Sequence, residues 1–487
     1  MKGASEGTRW EMHWDEVAVF DINSASLGVD EFALMTAAGE ALAHEVAKTS
    51  GGKEVLFLCG PGNNGGDGFV AACSRSLAGI RTSVLSSHES SKTETSSRAR
   101  GMAAKGLQIY VWPDSPKGDW ALIVDCLLGS GGAGSGEQLR SPIREISDWA
   151  RSTELPILSC DIPTGLGGID ALKPVRTITF HSPKMGMTES ECGEIVVSEL
   201  PWPIEVRNCG VGDASRYPAM EPDARKGDRG RLLVVGGGPY HGAPILSGMA
   251  AARSGCDLIH VAMPASASSR SQWPPGLIPE KLPDREFLTS ESIGALSDFI
   301  DSGRTPDAMV IGPGIGREKE SMDAIESIIS LSISKSLPLV IDADAISALP
   351  EGKWPDGLIG VATPHLGEVE RWLSGTSPRQ ALANCTKEDS AIVITGFEDE
   401  IFGPQGRHCY ATGGHPRMAV SGTGDLLAGT IGGFLAQGMA PWPAARLACA
   451  VLREAGSRTA KEKGPGLLAD DVPVHIAHTL SDWTRDA

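Results

Sequence analysis

Between Trp14 and Lys48 the apolar positions Val17, Phe20, Leu34, Met35, Leu42 and Val46 recur at helical spacing, which predicts two helices divided near 24–30. Beyond them the period changes. Short apolar, β-branched runs at 55–59, 82–85, 108–112, 122–125, 157–161, 176–180 and 194–197 predict strands, and 68–77, 97–105 and 138–150 between them carry helical spacing. Strand and helix alternating at this interval build a parallel sheet covered on both faces. The pattern stops between about 207 and 228, where Gly, Pro, Asp and Arg dominate. A second series follows, with strands expected at 232–235, 258–262, 308–311, 339–342, 358–363 and 391–395, and helices at 243–254, 318–334, 367–374, 425–437 and 444–462. The expectation is two α/β domains, 1–212 and 229–487, joined by a linker over 213–228.

Length agrees with this division, because 487 residues exceed what one core organises. The net charge of −18 argues against a nucleic-acid or anionic-membrane surface, both of which require basic patches. An anionic ligand is then held by backbone N–H groups and bound cations. Ten cysteines are scattered without a Cys-x-x-Cys, so neither a zinc site nor a small disulfide scaffold is indicated and a reducing cytosol is expected. Residues 1–7 lack the apolar core of a signal peptide, and the uncharged runs 232–252 and 426–445 are broken by prolines and glycines. A cytoplasmic protein acting on small molecules, forming a homo-oligomer and contacting neither nucleic acid nor membrane is expected.

The most informative stretch is Ser421-Gly422-Thr423-Gly424-Asp425, ahead of a run with helix-like spacing. Two glycines and two hydroxyls at a helix start allow several N–H groups to converge on an anion, as in a phosphate site. A carboxylate there is repelled by phosphate unless it has a task, such as taking the proton of a hydroxyl that attacks phosphorus. The alternative is an N-cap Asp on a core helix.

In the first half, Gly60-Pro61-Gly62-Asn63-Asn64-Gly65-Gly66-Asp67-Gly68-Phe69 follows a strand and opens a helix, combining close backbone approach with specific polar contacts. A second strand ends at Asp125 and runs into Gly129-Ser130-Gly131-Gly132-Ala133-Gly134-Ser135. This piece matches a dinucleotide fingerprint formally but lacks its acid about 20 residues on. A third strand ends in Asp161-Ile162-Pro163-Thr164-Gly165. Asn64, Asp125 and Thr164 thus fall on one sheet edge, where oxygen ligands can surround a monovalent or hard cation, with Asp161 as an acid/base beside them. Capping of the following helices is the bland reading of the two aspartates. Lys184 is a candidate for the same edge, against the usual reading of a lone lysine as solvated surface. In the second half, Gly236-Gly237-Gly238, Gly312-Pro313-Gly314-Ile315-Gly316, Asp342-Ala343-Asp344 and Thr363-Pro364-His365-Leu366-Gly367-Glu368 each close a strand.

The segments 60–69, 125–131 and 161–165, in order over roughly the first 200 residues, resemble the YjeF N-terminal domain, the NAD(P)H-hydrate epimerase. The resemblance implies a Rossmann-like three-layer α/β domain. It implies that Asn64, Asp125 and Thr164 bind potassium, with Thr164 where the family usually has Ser. It also implies that Asn63, Asn64, Gly65, Gly66, Asp67, Gly129, Ser130, Gly131, Gly132, Ala133, Gly134, Ser135 and Asp161 contact the hydrated nucleotide, Asp161 catalytically. The ordered Gly-Pro-Gly-x-Gly, Asp-Ala-Asp, Thr-Pro-His-x-Gly-Glu and Gly-Thr-Gly-Asp resemble the YjeF C-terminal domain, the ADP/ATP-dependent NAD(P)H-hydrate dehydratase of the ribokinase-like superfamily, over about 225–480. The stretches 226–230 and 414–418 look closer to archaeal members. This resemblance implies that Ala243, Gly316, His365 and Asp425 line the hydrate site, Asp425 catalytically, and that Ser421, Gly422, Thr423 and Gly424 hold the phosphates of ADP or ATP with Mg²⁺. Thr395 stands where the family has Lys, Arg417 where Gly is usual and Ser421 in place of Gly, departures that bear on nucleotide preference more than on the reaction.

Two rival readings follow from the same residues. One is a small-molecule kinase with a regulatory first domain; the other is a first domain that only binds. A Walker-type phosphate loop is absent, which excludes P-loop kinases.

Overall fold

The computed structural model describes residues 11–130, 138–303, 305–385 and 389–485. The chain divides into two compact units, Met1–Val206 and Arg207–Ala487.

The first unit opens on helices α1 (Trp14–Ser26) and α2 (Glu31–Ser50). Strands β1 (Val55–Cys59), β2 (Thr82–Ser86), β3 (Ile109–Val111), β4 (Leu122–Cys126), β5 (Ile157–Cys160), β6 (Arg176–Phe180) and β7 (Glu194–Ser198) then pair in parallel, in the order β3-β2-β1-β4-β5-β6-β7. Between them run α3 (Asn63–Ala72), α4 (Glu94–Ala103), α5 (Ile143–Ser152) and α6 (Glu189–Cys192). Alternation along the buried strands divides their side chains between two cores. Val55, Phe57 and Cys59 join Val124 and Leu158 beneath α2 and α3, while Leu56, Leu58, Ile123 and Ile157 meet Ile143, Ile146 and Ala150 of α5. The result is three layers. Strand order reverses between β1 and β4, so a crevice opens at their carboxyl ends. Helix α3 begins at Asn63, five residues before the apolar spacing does, because its first turn is glycine-rich and packs by close approach. A Cβ on Gly65 would lie 2.0 Å from the Gly60 carbonyl oxygen.

The second unit holds β8 (Arg231–Val235), β9 (Leu258–Met263), β10 (Leu277–Lys281), β11 (Ala308–Ile311), β12 (Leu339–Ile341), β13 (Gly360–Ala362), β14 (Ser390–Ile394), β15 (Asp399–Phe402) and β16 (His408–Ala411). They form one sheet ordered β10-β9-β8-β11-β12-β13-β14-β15-β16, parallel from β10 to β14 and closed by an antiparallel hairpin. Its helices are α7 (Ala243–Arg253), α8 (Ala265–Arg270), α9 (Glu291–Asp301), α10 (Lys319–Lys335), α11 (Leu366–Leu373), α12 (Pro378–Leu382), α13 (Thr423–Ala436), α14 (Pro441–Lys463) and α15 (Pro473–Trp483). The strand order reverses at β8 and β11, placing a second crevice there.

Residues 213–228 are not a free linker at their start. Asp213 is fully buried and accepts hydrogen bonds from the Arg446 guanidinium of α14 (2.7 Å) and from Arg216 (2.6 Å). The segment has no apolar period because ion pairs hold it. Among the described residues no helix is long and apolar enough to cross a membrane.

Candidate active sites

A cavity of about 550 Å³ lies at the β1/β4 crevice, lined by Asn63, Asn64 and Asp67 from the start of α3, by Gly129 and Ser130 after β4, and by Asp161 after β5. Lys184 completes its polar wall, and Phe20 and Asp21 of α1 close it together with His181 and Trp202. Asp161 has a left-handed backbone, φ 64°, a conformation costly for a side-chain-bearing residue and retained where surroundings over-determine it. Its Oδ2 accepts the Ser130 N–H at 2.7 Å, and its Oδ1 lies 2.6 Å from Lys184 Nζ. Lys184 is only 3% exposed and also donates to Thr179 Oγ1 (2.8 Å) and the Phe180 carbonyl (3.1 Å). Burial alone would raise the Asp161 carboxyl, but the Lys184 charge and the hydrogen bonds from Lys184 and Ser130 outweigh it and hold the group below the usual range. Asp67 goes the other way: enclosure, then the negative charges of Asp161 and Asp21, push its carboxyl well up.

Beside this cavity both polar atoms of the Asn64 amide are buried without a hydrogen-bond partner. Asp125, fully buried, accepts from Thr164 Oγ1 (2.7 Å), Thr164 N (2.9 Å), Ser159 Oγ (2.9 Å) and Leu127 N (3.2 Å). Burial nevertheless raises its carboxyl. The 127–129 turn connects the two, since Leu128 N donates to Thr164 Oγ1 and a Cβ on Gly129 would lie 3.1 Å from both Asn64 Cβ and Asp161 Oδ2. An orphaned amide oxygen, one carboxylate and a hydroxyl suit a hard cation of low charge, and among the described residues no cluster of three His, Cys, Asp or Glu exists for a more demanding metal. The residues fit potassium. Two expected contacts are not brought to the cavity: Gly65 and Gly66 pack against Gly60 and Met35 because the helix start needs that approach. Gly131, Gly132, Ala133, Gly134 and Ser135 lie outside the described residues.

The second site gathers at the β8/β11 crevice. Gly314, at φ 70°, packs so that a Cβ would meet the Tyr240 carbonyl oxygen at 2.0 Å and Ala243 Cβ at 3.3 Å, which brings the start of α7 against the loop after β11. Gly316 N donates to Asp344 Oδ2 at 3.0 Å. Ser247 Oγ donates to the carbonyl of Asp425 (2.9 Å) and to that of Ala243 (3.3 Å), tying the starts of α7 and α13 together. Helix α13 starts at Thr423 after Gly422 at φ 99°, so the N–H groups of its first turn have no acceptor within the helix. Burial first, then the charge of Asp342, pushes the Asp425 carboxyl up to about 7. Asp342 is itself pushed up to about 6 by burial, although Thr363 Oγ1 donates to it at 2.7 Å. His365 caps α11, its Nδ1 accepting Gly367 N–H (3.0 Å) while Glu368 accepts His365 N–H (3.0 Å), and its ring stays solvent-facing. The contacts it makes here are those of a helix cap.

Thr395 pairs with His365 in a β-bridge. Arg417 donates from Nε to the Pro465 carbonyl at 2.6 Å, whereas the carbonyl of Gly396, next to Thr395, is taken by Arg453 at 3.1 Å. Arg453 is in turn fixed by Asp399 at 2.8 Å. Asp342 and the cavity-closing Phe20, Asp21, His181 and Trp202 were not among the expected site residues; only Asp342, at a strand end, carried a sequence signal.

The pattern of the family described as NAD(P)H-hydrate dehydratase matches residues 232–477, and that of the YjeF-related protein N-terminus matches 31–186. A bifunctional NAD(P)H-hydrate repair enzyme of Hyperthermus butylicus is 32% identical over 96% of this chain and 91% of its own. This chain belongs to the bifunctional NAD(P)H-hydrate repair family. Another repair enzyme of the family, from Methanothermobacter thermautotrophicus, is 31% identical over 94% of this chain and 93% of its own. Among solved structures, the ADP/ATP-dependent NAD(P)H-hydrate dehydratase of Bacillus subtilis, co-crystallised with ATP and Mg²⁺, aligns with 56% of this repair-family chain and 96% of its own at 21% identity and a TM-score of 0.47.

Proposed function

We propose that this chain repairs hydrated NADH and NADPH in two steps, the first unit interconverting the R and S forms and the second dehydrating the S form at the expense of ADP or ATP. Kinship along nearly the whole chain supports the pairing of activities. The observation that carries the second step is Asp425, at the start of α13 with a carboxyl pushed up to about 7, the range of a general base at neutral pH. Asp425 takes the proton of the ring hydroxyl as that oxygen attacks the terminal phosphorus of ADP or ATP, whose bond to the bridging oxygen breaks and releases AMP or ADP with the electron pair. The first-turn N–H groups of α13, reached through Ser421, Gly422, Thr423 and Gly424, hold the phosphoryl oxygens. The new C–O–P ester then breaks at its C–O bond, phosphate leaves with the electron pair, the ring nitrogen's lone pair supports the cation formed, and loss of a ring proton restores the dihydronicotinamide. Ala243, Gly316 and His365 frame the ring. Magnesium, when bound with the nucleotide, offsets charge on its phosphates.

In the first unit Asp161 contacts the hydrated ring, with Lys184 keeping it ionised and in place. Asn64, Asp125 and Thr164 hold potassium, which supplies a fixed positive charge beside the substrate when bound. The test is recovery of near-ultraviolet NADH absorbance from mixed epimers of hydrated NADH with protein, K⁺, Mg²⁺ and either ADP or ATP. Complete recovery, faster than spontaneous epimerisation, is expected. Absence of any recovery with either nucleotide would favour the small-molecule kinase instead.

A further inference from the structure

Cys209 and Cys409 are separated by 200 residues in sequence, yet their sulfurs lie 3.6 Å apart. Cys409 is in β16, the last strand of the second sheet, and is 3% exposed; Cys209 is half-buried. Backbone pairing brings them together. Cys209 N–H donates to the Tyr410 carbonyl at 2.8 Å, and Tyr410 N–H donates to the Asn208 side-chain oxygen at 3.4 Å. The segment carrying Cys209 therefore covers the open edge of β16, an edge that otherwise presents unpaired backbone groups. It is fastened from behind by Arg446, which donates to the carbonyls of Arg207 and Asn208, both at 3.1 Å.

We infer that Cys209 and Cys409 form a redox-closable staple that locks this covering segment onto the sheet edge. The oxidant is a low-molecular-weight disulfide. The Cys209 thiolate, the more accessible of the two, attacks one of its sulfurs, releases one small thiolate and leaves a mixed disulfide. The Cys409 thiolate then attacks Cys209 Sγ and releases the second small thiolate. Both cysteine protons pass to solvent or the released thiolates, and two electrons move from the pair to the oxidant. Burial and the neighbouring Cys409 push the Cys209 thiol well up, Arg446 opposing and Asp213 adding to the effect, so closure is slow at neutral pH and speeds with alkalinity.

The test treats the full-length protein with oxidised glutathione at alkaline pH, maps unreduced peptides by mass spectrometry and records Tm before and after. A Cys209–Cys409 linked peptide is expected, with Tm raised by about 5 °C or more because a long loop is closed in the unfolded chain. Cys209→Ser and Cys209→Ala should both lose linkage and shift while keeping the Tm of the reduced wild type. Glutathionylation of the exposed Cys73 without the Cys209–Cys409 link would overturn the inference, as would Cys409 pairing with buried Cys449, or a link that leaves Tm unchanged.

Discussion

Lys184 Nζ stands 2.6 Å from Asp161 Oδ1 in the wall of the first cavity, an ion pair in which both side chains are almost out of contact with solvent. Such a pair is costly to break from one side, since the remaining charge stays buried and unpaired. Lys184→Met should destabilise the first unit by about 3–5 kcal/mol and cut epimerisation by about 10²-fold or more, and Lys184→Met combined with Asp161→Asn should recover much of the stability but none of the activity. Urea denaturation with an epimer-resolved assay checks both; a purely additive loss of stability in the double variant would contradict the coupling.

Because the folded Asp161 carboxyl is held below its ordinary value, its share of stability is fully present above the unfolded carboxylate pKa and is lost as pH falls through the folded value. Acid unfolding of wild type should therefore be steeper than that of Asp161→Asn below about pH 4, measured by circular dichroism across a pH series.

For Asp425 the sign reverses. A folded pKa raised to about 7 means stability is greatest below the unfolded value and is lost as pH rises through about 7. Asp425→Asn should gain Tm over wild type at pH 8 and much less at pH 4. The same variant should lose dehydration by about 10³-fold while still binding ADP, measured by calorimetry. Loss of ADP binding would instead assign Asp425 to the nucleotide.

Asp342 is a cause of that raised value, so Asp342→Asn should move the rising limb of kcat/KM for dehydration, set near pH 7 by Asp425, to lower pH. An unmoved limb would remove Asp342 from the account.

The orphaned Asn64 amide predicts cation dependence confined to one activity. Replacing K⁺ by a tetraalkylammonium ion too large for the site should slow epimerisation and leave the Mg²⁺-dependent dehydration of the S form unchanged, and Asn64→Leu should abolish the response to K⁺. Equal sensitivity of both activities would speak against the site.

The parts legible in the sequence are those where a local pattern and its chemistry coincide. Strands β1 and β4 are buried on both faces and read as apolar runs, β4 closing on Asp125 and Cys126, and the glycines and hydroxyls of 421–425 mark the start of α13. Strand β10 is a half-exposed edge strand carrying Pro279, and β15, paired on both sides within the antiparallel hairpin, alternates buried and half-exposed positions, so no apolar run marks either. The lid of the first cavity is a product of tertiary packing: Phe20 meets Trp202 edge-to-face at 6.0 Å, a contact that no spacing encodes. Lys184, a lone lysine in sequence, is placed against Asp161 by β6 and the turn after it. The 207–228 stretch lacked apolar period because Asp213, Arg216 and Arg446 hold it by charge.

The most direct test of two activities in two units is complementation in one cuvette. Starting from an equilibrium mixture of hydrated NADH epimers with K⁺, Mg²⁺ and ADP or ATP, Asp161→Asn should restore the S fraction of the NADH absorbance quickly and then proceed only at the spontaneous epimerisation rate. Asp425→Asn should restore nothing, and the two variants mixed should restore the whole pool at close to the wild-type rate. Recovery of the whole pool by Asp161→Asn alone at the wild-type rate would contradict the assignment of epimerisation to Asp161.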